Sequence, residues 1–276
     1  MCQLQKWKVL LLNGEKLNKK SLNFDLFLIF LWPIIIGLIS FWMKPNALYS
    51  IILFLLIPAI YLSFKGTEFV KKSLLFSVII AIPTMIVIDY IAQMNQTWLM
   101  YSSSILPFKF FGIVTFEVVL WAVALIYLIV MFYEYFLDRH FTKKLYTEKL
   151  KYLLIILLVF FSLFVFRFYE GSIFRIPYFY LFWGILLLFI PVVLQSIKHF
   201  QTTAKFFLAL AYFFYLDFIY EITAIKLGWW SFPGREFIGW VTIMNIRFPI
   251  EELFFWMILF TLGVLTYFEY FDDDEK

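Results

Sequence analysis

The chain has 276 residues, of which 64% are hydrophobic, 24% aromatic and only 15% charged. Soluble domains are about half apolar, so this composition excludes an ordinary soluble domain and predicts an integral membrane protein. The net charge of +4 is too small and too scattered to indicate a nucleic-acid partner, and a single cysteine, Cys2, excludes an internal disulfide framework.

Apolar runs of about 20 residues, the length that spans a bilayer, occur eight times along the chain. Each run predicts a transmembrane helix. The alternation of polar and apolar residues that a membrane β-barrel requires is absent, so the predicted fold is all-α. The predicted helices cover about residues 24–43, 46–64, 73–93, 110–136, 150–168, 177–197, 205–225 and 249–270.

Lysine and arginine are distributed unevenly between the two sets of loops. Of the 23 such residues, sixteen lie in the segments that share a side with the N-terminus. Because cytoplasmic loops carry the excess of Lys and Arg, both termini are predicted to be cytoplasmic. The N-terminal stretch is long and charged and has no small-residue cleavage site after a short apolar core, so no cleaved signal peptide is expected.

The two halves of the chain resemble each other. In each half an acid, a tryptophan and two glutamates follow in the same order: Asp89, Trp98, Glu117 and Glu134, then Glu221, Trp230, Glu252 and Glu269. This similarity predicts two parallel four-helix repeats with a site between them. The predicted segments are a cytoplasmic N-terminus (1–23), a first repeat (24–136), a basic cytoplasmic linker (137–149), a second repeat (150–271) and an acidic tail (272–276).

Two adjacent carboxylates, Glu251 and Glu252, open the last predicted helix directly after Pro249-Ile250. An ionised side chain in hydrocarbon costs roughly 2.5–3.5 kcal/mol on insertion scales, so acids one turn inside a membrane helix predict a functional site. The predicted topology brings acids of both halves to the same side of the membrane: Asp89, Glu117, Glu221 and Glu252. Asp217 shares the helix face of Glu221, and Met85 occupies the corresponding place in the first half.

A cluster of buried carboxyls is suited to proton transfer. Carboxyls held close together cannot all be ionised, so one can act as an acid while a neighbour acts as a base. Such a pair can protonate a carbon–carbon double bond and then remove a proton from the carbocation, while aromatic rings stabilise that cation. The aromatic candidates for substrate binding are Trp98, Trp121, Trp230, Phe254 and Phe255. His140 and His199 lie in basic loops, so no metal site is expected.

The stretch Pro249-Ile250-Glu251-Glu252-Leu253-Phe254-Phe255, preceded by Glu221, Ala224 and Gly228-Trp229-Trp230-Ser231-Phe232, resembles the signature of the membrane-embedded lycopene cyclase family. That family occurs as two small subunits in some bacteria and as a fused tandem in archaea and fungi, and this chain resembles the fused form. The resemblance implies cyclisation of the ends of lycopene to β-ionone rings, giving γ- or β-carotene without net redox change. It implies catalytic roles for Glu252, Glu251 and Glu117, with Glu221 and Asp89 as paired acids.

The first half departs from the family pattern. Val114-Thr115-Phe116-Glu117 stands where the family has a Pro-x-Glu-Glu-like motif, so the proline and the first acid are predicted to be missing there. Whether the first half is catalytic, and whether one or both ends of the substrate react, stays open.

The chain has no glycine-rich dinucleotide-binding stretch. No cofactor is predicted, and a requirement for reduced flavin or NAD(P)H is left open. The expected partners are a lipophilic polyene such as lycopene or a related carotenoid, membrane lipid, and other enzymes of the carotenoid pathway.

Other functions fit the same residues. The acids could form the proton relay of a proton-coupled transporter, although Pro33, Pro58, Pro83 and Pro191 do not pair consistently between the halves. The chain could also be another membrane terpenoid cyclase or a non-catalytic scaffold subunit.

Simpler roles are expected for several other charged residues. Glu134 and Glu269 are expected to be acids at the lipid headgroups. Arg247 is expected to neutralise Glu251, and the acids from Asp272 onwards are expected to form a solvated tail.

Overall fold

A computed structural model of the chain describes residues 19–138, 147–169 and 175–272. Most of the predicted N-terminal segment, the middle of the predicted linker and the tail from residue 273 lie outside the described residues. Seven of the described helices are long and apolar enough to cross a membrane, and an eighth has a shorter apolar stretch, Ile155–Phe168. By length and composition, therefore, the chain is a multi-pass membrane protein.

The helices lie close to the predicted runs. In chain order they are α1 (Lys19–Met43), α2 (Ala47–Lys65), α3 (Thr67–Met94), α4 (Phe116–Asp138), α5 (Thr147–Tyr169), α6 (Phe179–Lys198), α7 (Phe200–Leu227) and α8 (Glu252–Phe271). Helices α3 and α7 begin several residues earlier than predicted. The early turns contain Lys72 and Lys205, which are paired with acids inside the protein and so do not end the helix.

Three short antiparallel strand pairs were not predicted. They are β1 (Leu99–Met100) with β4 (Trp230–Ser231), β2 (Lys109–Phe110) with β3 (Val114–Thr115), and β5 (Trp240–Ile243) with β6 (Ile246–Pro249). All six strands lie in the α3–α4 and α7–α8 connections. These connections share one end of the bundle, here called the hairpin face.

The hairpin face joins the two halves of the chain. The register of β1 and β4 pairs Leu99 with Ser231, one residue after Trp98 and one after Trp230. The indole of Trp229 donates a hydrogen bond to the carbonyl of Pro45 at 2.8 Å, which ties the same connection to the turn between α1 and α2. These contacts hold the two loop connections to each other and to the first half of the chain.

Helices α2 and α6 share an unusual local feature. Each contains a π-helical turn, Ile52–Leu56 in α2 and Ile185–Phe189 in α6, and a proline follows two residues after each turn. Pro58 and Pro191 therefore occupy matching places, and the prediction that these prolines do not pair is wrong for this one pair. π-Helical turns are rare and are frequent at functional sites.

The first helix of each half packs against the other half of the chain. The ring of Phe30 in α1 lies 5.1 Å from that of Tyr212 in α7, and the Tyr215 hydroxyl donates to the Phe30 carbonyl at 2.9 Å. In the same way the ring of Phe164 in α5 lies edge-on to Tyr90 in α3, at 5.1 Å. The two halves are thus interleaved rather than side by side.

A buried lysine joins the halves at the opposite end of the bundle. The Lys72 ammonium lies 3.0 Å from a Glu134 oxygen and 2.9 Å from an Asp272 oxygen, and all three side chains are 0% exposed or nearly so. Asp272 was predicted to start a solvated tail and Glu134 to lie at the headgroups, and both predictions are wrong. A charge in an apolar interior is stable only when it is paired, which explains the cluster.

A second ion pair at this end joins a lysine of the second half to an acid that follows the first half. Lys205, in the first turns of α7, bonds to Asp138 at the end of α4. Close by, the buried hydroxyl of Tyr133 donates to Glu269. Glu269 is therefore an interior hydrogen-bond acceptor rather than the predicted headgroup acid.

Candidate functional site

An apolar cavity with a free volume of about 80 Å³ lies under the hairpin face, between α2, α3, α4, α7 and α8. Four carboxyl groups line it, and we call it the acidic cavity: Glu117, Asp217, Glu221 and Glu252. Aromatic rings supply much of the remaining wall: Trp98, Trp121, Tyr220, Trp230, Phe232 and Trp256. Helical spacing explains part of this grouping, since residues four apart lie on one helix face, as Asp217 and Glu221 do.

Glu221 and Asp89 each hold a tryptophan at the entrance to a hairpin connection. The Trp230 indole donates to Glu221 at 2.9 Å, and the Trp98 indole donates to Asp89 at 2.7 Å. The second oxygen of Asp89 accepts from the Gln93 amide at 2.5 Å. Asp89 is fully buried and does not line the acidic cavity, so the structure brings Glu221 but not Asp89 into the predicted cluster.

Glu117 and Glu251 make the same loop contact in their two halves. The backbone N–H of Leu106 donates to Glu117 at 2.5 Å, and that of Ile238 donates to Glu251 at 2.7 Å. Each glutamate thus ties the preceding loop to the first turn of its helix. The second oxygen of each is buried without a hydrogen-bond partner among the described residues. Glu117 lines the acidic cavity, whereas Glu251 does not.

These contacts change the predicted correspondence between the halves. Glu117 matches Glu251 rather than Glu252, because both follow a strand by two residues and bond to the loop before it. Val118 then occupies the place of Glu252, and both line the acidic cavity. The acid that the first half lacks is therefore the second of the pair, not the first as predicted.

Glu252 has a hydrogen-bond donor that the sequence did not reveal. Tyr180 in α6, 1% exposed, donates its hydroxyl to a Glu252 oxygen. The Tyr180 ring is edge-on to Trp98, with 5.4 Å between ring centres. No local pattern links Tyr180 to Glu252, which lies 72 residues further along. Trp256 was also missed, although it follows Glu252 by one helical turn and shares its face.

Asp217 is the least supported carboxyl of the acidic cavity. It is 9% exposed, and one of its oxygens is buried without a hydrogen-bond partner among the described residues. Glu252 lies within electrostatic range of both Glu221 and Asp217. Three carboxyls from the second half therefore lie close enough to act on one another in a cavity whose wall is mostly apolar.

The predicted substrate-binding aromatics divide into two groups. Trp98, Trp121 and Trp230 line the acidic cavity. Phe254 is 49% exposed and points away from the cavity, and Phe255 is buried against Gly184 of α6, so neither lines it. The π-helical geometry at the start of α8 changes which residues face inward, and an ordinary helical wheel does not anticipate that shift.

The sequence suggested that Arg247 neutralises Glu251, but the structure shows that it does not. Its guanidinium lies over the Trp240 ring, 4.4 Å from the ring centre, across the β5–β6 pair. Glu251 is instead bonded to the Ile238 N–H. A cation stacked on an aromatic ring stiffens the hairpin without adding charge to the acidic cavity.

The acidic cavity can transfer protons, and its aromatic wall can stabilise a cation. Among residues 19–138, 147–169 and 175–272, no group of three or more His, Cys, Asp or Glu side chains is arranged to hold a metal ion. Comparisons with protein-family models, with curated proteins and with solved structures found no match. The function is therefore argued from the acidic cavity itself.

Proposed function

We propose that this chain is a membrane-embedded cyclase that closes a ring at the end of an acyclic polyene, in the manner of a lycopene β-cyclase. The observation that carries the proposal is the acidic cavity, in which four carboxyls meet tryptophan rings beneath the loops of the hairpin face. Carboxyls in apolar surroundings are costly, so their convergence on one cavity indicates use in proton transfer.

The proposed reaction moves one proton in and one proton out. A carboxyl donates its proton to the terminal double bond, which leaves a tertiary carbocation. The next double bond along the chain attacks that carbon, forms the ring bond and moves the positive charge into the ring. A carboxylate then removes a proton from the neighbouring carbon and forms the ring double bond. The product is an isomer of the substrate, so no electrons are gained or lost.

The walls of the acidic cavity suit a cationic, apolar guest. Trp121 and Trp256 lie edge to face with ring centres 5.4 Å apart, and Trp98 lies 6.1 Å from Trp256. Such faces attract a cation by their quadrupole and exclude the water that would quench it. Ligand pockets usually measure roughly 300–1,000 Å³, far more than the free volume of the acidic cavity. Side chains of the wall must therefore move when substrate enters. We expect the flexible methionines of the wall to do so: Met85, Met100 and Met257.

The proposal includes the arrangement of the chain as two parallel four-helix repeats with cytoplasmic termini. Its support is a set of matched contacts: the acid–tryptophan bonds, the glutamate–loop bonds, and the π-turn with proline in α2 and α6. The reciprocal bonds of Lys72 and Lys205 with the other half add to it. We expect the loops of the hairpin face to lie outside the cytoplasm, because most Lys and Arg lie on the other side.

Expression in a lycopene-accumulating bacterial host tests the proposal. We expect red lycopene to be converted to orange or yellow products with one or two rings, separable by chromatography. Glu252→Gln should abolish the conversion, because the amide can neither donate nor accept the proton. Glu68→Gln makes the same change at an exposed position and should convert as the wild type does. Unchanged lycopene in cells with membrane-inserted wild-type protein would refute the proposal.

A proton-coupled transporter is the second candidate, and the matching of Pro58 with Pro191 favours it. Repeated helix irregularities at matching depths are typical of transporters. The two functions differ in a simple measurement. A transporter reconstituted in liposomes would dissipate an imposed pH gradient when its substrate is present, whereas a cyclase would leave the gradient unchanged.

A further inference from the structure

We propose that Asp217 donates the proton that starts the reaction, and that the acidic cavity has a single reacting centre, built from the second half of the chain. This inference rests on the proposed function and deepens it. It concerns a residue that the family signature described above does not contain.

The first step of the argument is the hydrogen bonding of the cavity acids. Glu252 accepts from the Tyr180 hydroxyl and Glu221 accepts from the Trp230 indole. Hydrogen bonds donated to a carboxylate favour its charged form. Asp217 has a buried oxygen that accepts no hydrogen bond from the described residues. A carboxyl without such support in an apolar site is most stable as the neutral acid, which is the form that can give a proton.

The second step is the position of Asp217. It lies one helical turn from Glu221 on α7, and both line the acidic cavity with Glu252. Asp217 and Glu252 lie within electrostatic range of each other. A neutral Asp217 therefore stands beside Glu252, which removes the proton at the end of the reaction. Between turnovers the carboxyl that took the ring proton releases it to water, and Asp217 takes up a proton from water.

The third step is the asymmetry of the two halves. Met85 stands in α3 where Asp217 stands in α7, and Val118 stands in α4 where Glu252 stands in α8. Both of these apolar side chains line the acidic cavity. The first half adds Glu117, whose carboxyl ties down its own loop as Glu251 does in the second half. The first-half wall thus lacks the counterparts of Asp217 and Glu252.

A single centre has a consequence for the product. A polyene with two identical ends can bring only one end to Asp217 and Glu252 in each binding event. The one-ring product must leave, turn round and bind again before a second ring forms. We therefore expect the one-ring product to appear before the two-ring product when substrate is in excess.

The test uses purified full-length protein in lipid vesicles that contain lycopene. Asp217→Asn should lower the turnover number by about 10²–10⁴-fold, the usual contribution of a general acid, with little change in KM. Asp217→Glu, which keeps the acid, should recover part of the turnover. Asp25→Asn is the matched control, because Asp25 is also buried but is bonded to Tyr61 and Tyr135 outside the acidic cavity. Turnover is compared per folded protein.

The outcomes separate this inference from the proposed function. Loss of ring formation in Asp217→Asn, with recovery in Asp217→Glu, supports the assignment. Turnover of Asp217→Asn within tenfold of the wild type overturns it, while wild-type ring formation leaves the proposed function intact. A two-ring product in constant proportion from the earliest times overturns the single centre. Wild-type protein that leaves lycopene unchanged refutes the proposed function, and the inference with it.

Discussion

Replacing the buried Lys72 by methionine tests how the two halves are held together. The side chain of Lys72 is 0% exposed and neutralises Glu134 and Asp272, at 3.0 and 2.9 Å. Methionine fills similar space but removes the cation that Glu134 and Asp272 share. Removing one partner of a buried ion pair costs about 3–5 kcal/mol. At roughly 2–4 °C per kcal/mol for a chain of this size, we expect the unfolding temperature to fall by about 6–20 °C.

The assay is thermal unfolding of the detergent-solubilised protein, followed by tryptophan fluorescence. Lys65→Met is the matched control, since Lys65 is 37% exposed and its partner Asp25 keeps two tyrosine donors. Exposed pairs contribute about 0–1 kcal/mol, so the control should shift little. Adding Glu134→Gln and Asp272→Asn to Lys72→Met should restore most of the lost stability. Equal shifts for the two lysine variants would refute this account of the buried cluster.

Two further substitutions probe the surroundings of Glu252. Tyr180→Phe removes the hydroxyl that bonds Glu252. A hydrogen bond to a charged group is worth about 1.5–3 kcal/mol, so turnover of lycopene should fall roughly 10- to 150-fold. Unchanged turnover would show that the bond has no part in the reaction. Gly184→Ala places a Cβ 2.2 Å from the Phe255 ring, whereas the new Cβ in Gly239→Ala has its nearest neighbour at 3.7 Å. Gly184→Ala should therefore lower the unfolding temperature by a few degrees, as expected for about 1–3 kcal/mol of overpacking. Gly239→Ala should leave the unfolding temperature unchanged.

The membrane-spanning helices could be predicted because their signal is local. Apolar runs of bilayer length identified all eight described helices within a few residues at most ends. The errors fell where tertiary contacts override the local pattern. Lys72 and Lys205 were read as helix boundaries, yet buried acids neutralise both of them, so α3 and α7 extend past them. The β1–β4 pair of the hairpin face joins strands 130 to 132 residues apart, and no local pattern reveals it.

The acidic cavity was predictable only in part. Glu117, Glu221 and Glu252 stood out because an acid in an apolar run is costly, and all three line one cavity. Asp89 stood out for the same reason, yet it does not line the cavity, and its two oxygens accept hydrogen bonds from Gln93 and Trp98. Burial alone thus does not separate a reacting acid from one that positions a neighbour. The side chains that make this distinction, such as Tyr180, come from distant helices and had no signal in the sequence.

The central claim is that carboxyls in the acidic cavity add a proton to a polyene and remove another. Ring formation by the purified protein in heavy water tests it most directly, because the proton that starts the reaction then carries deuterium. We predict that wild-type protein in lycopene-containing vesicles forms rings and that the product gains one deuterium for each ring, measured by mass spectrometry. Rings without deuterium, or lycopene recovered unchanged, would contradict the account.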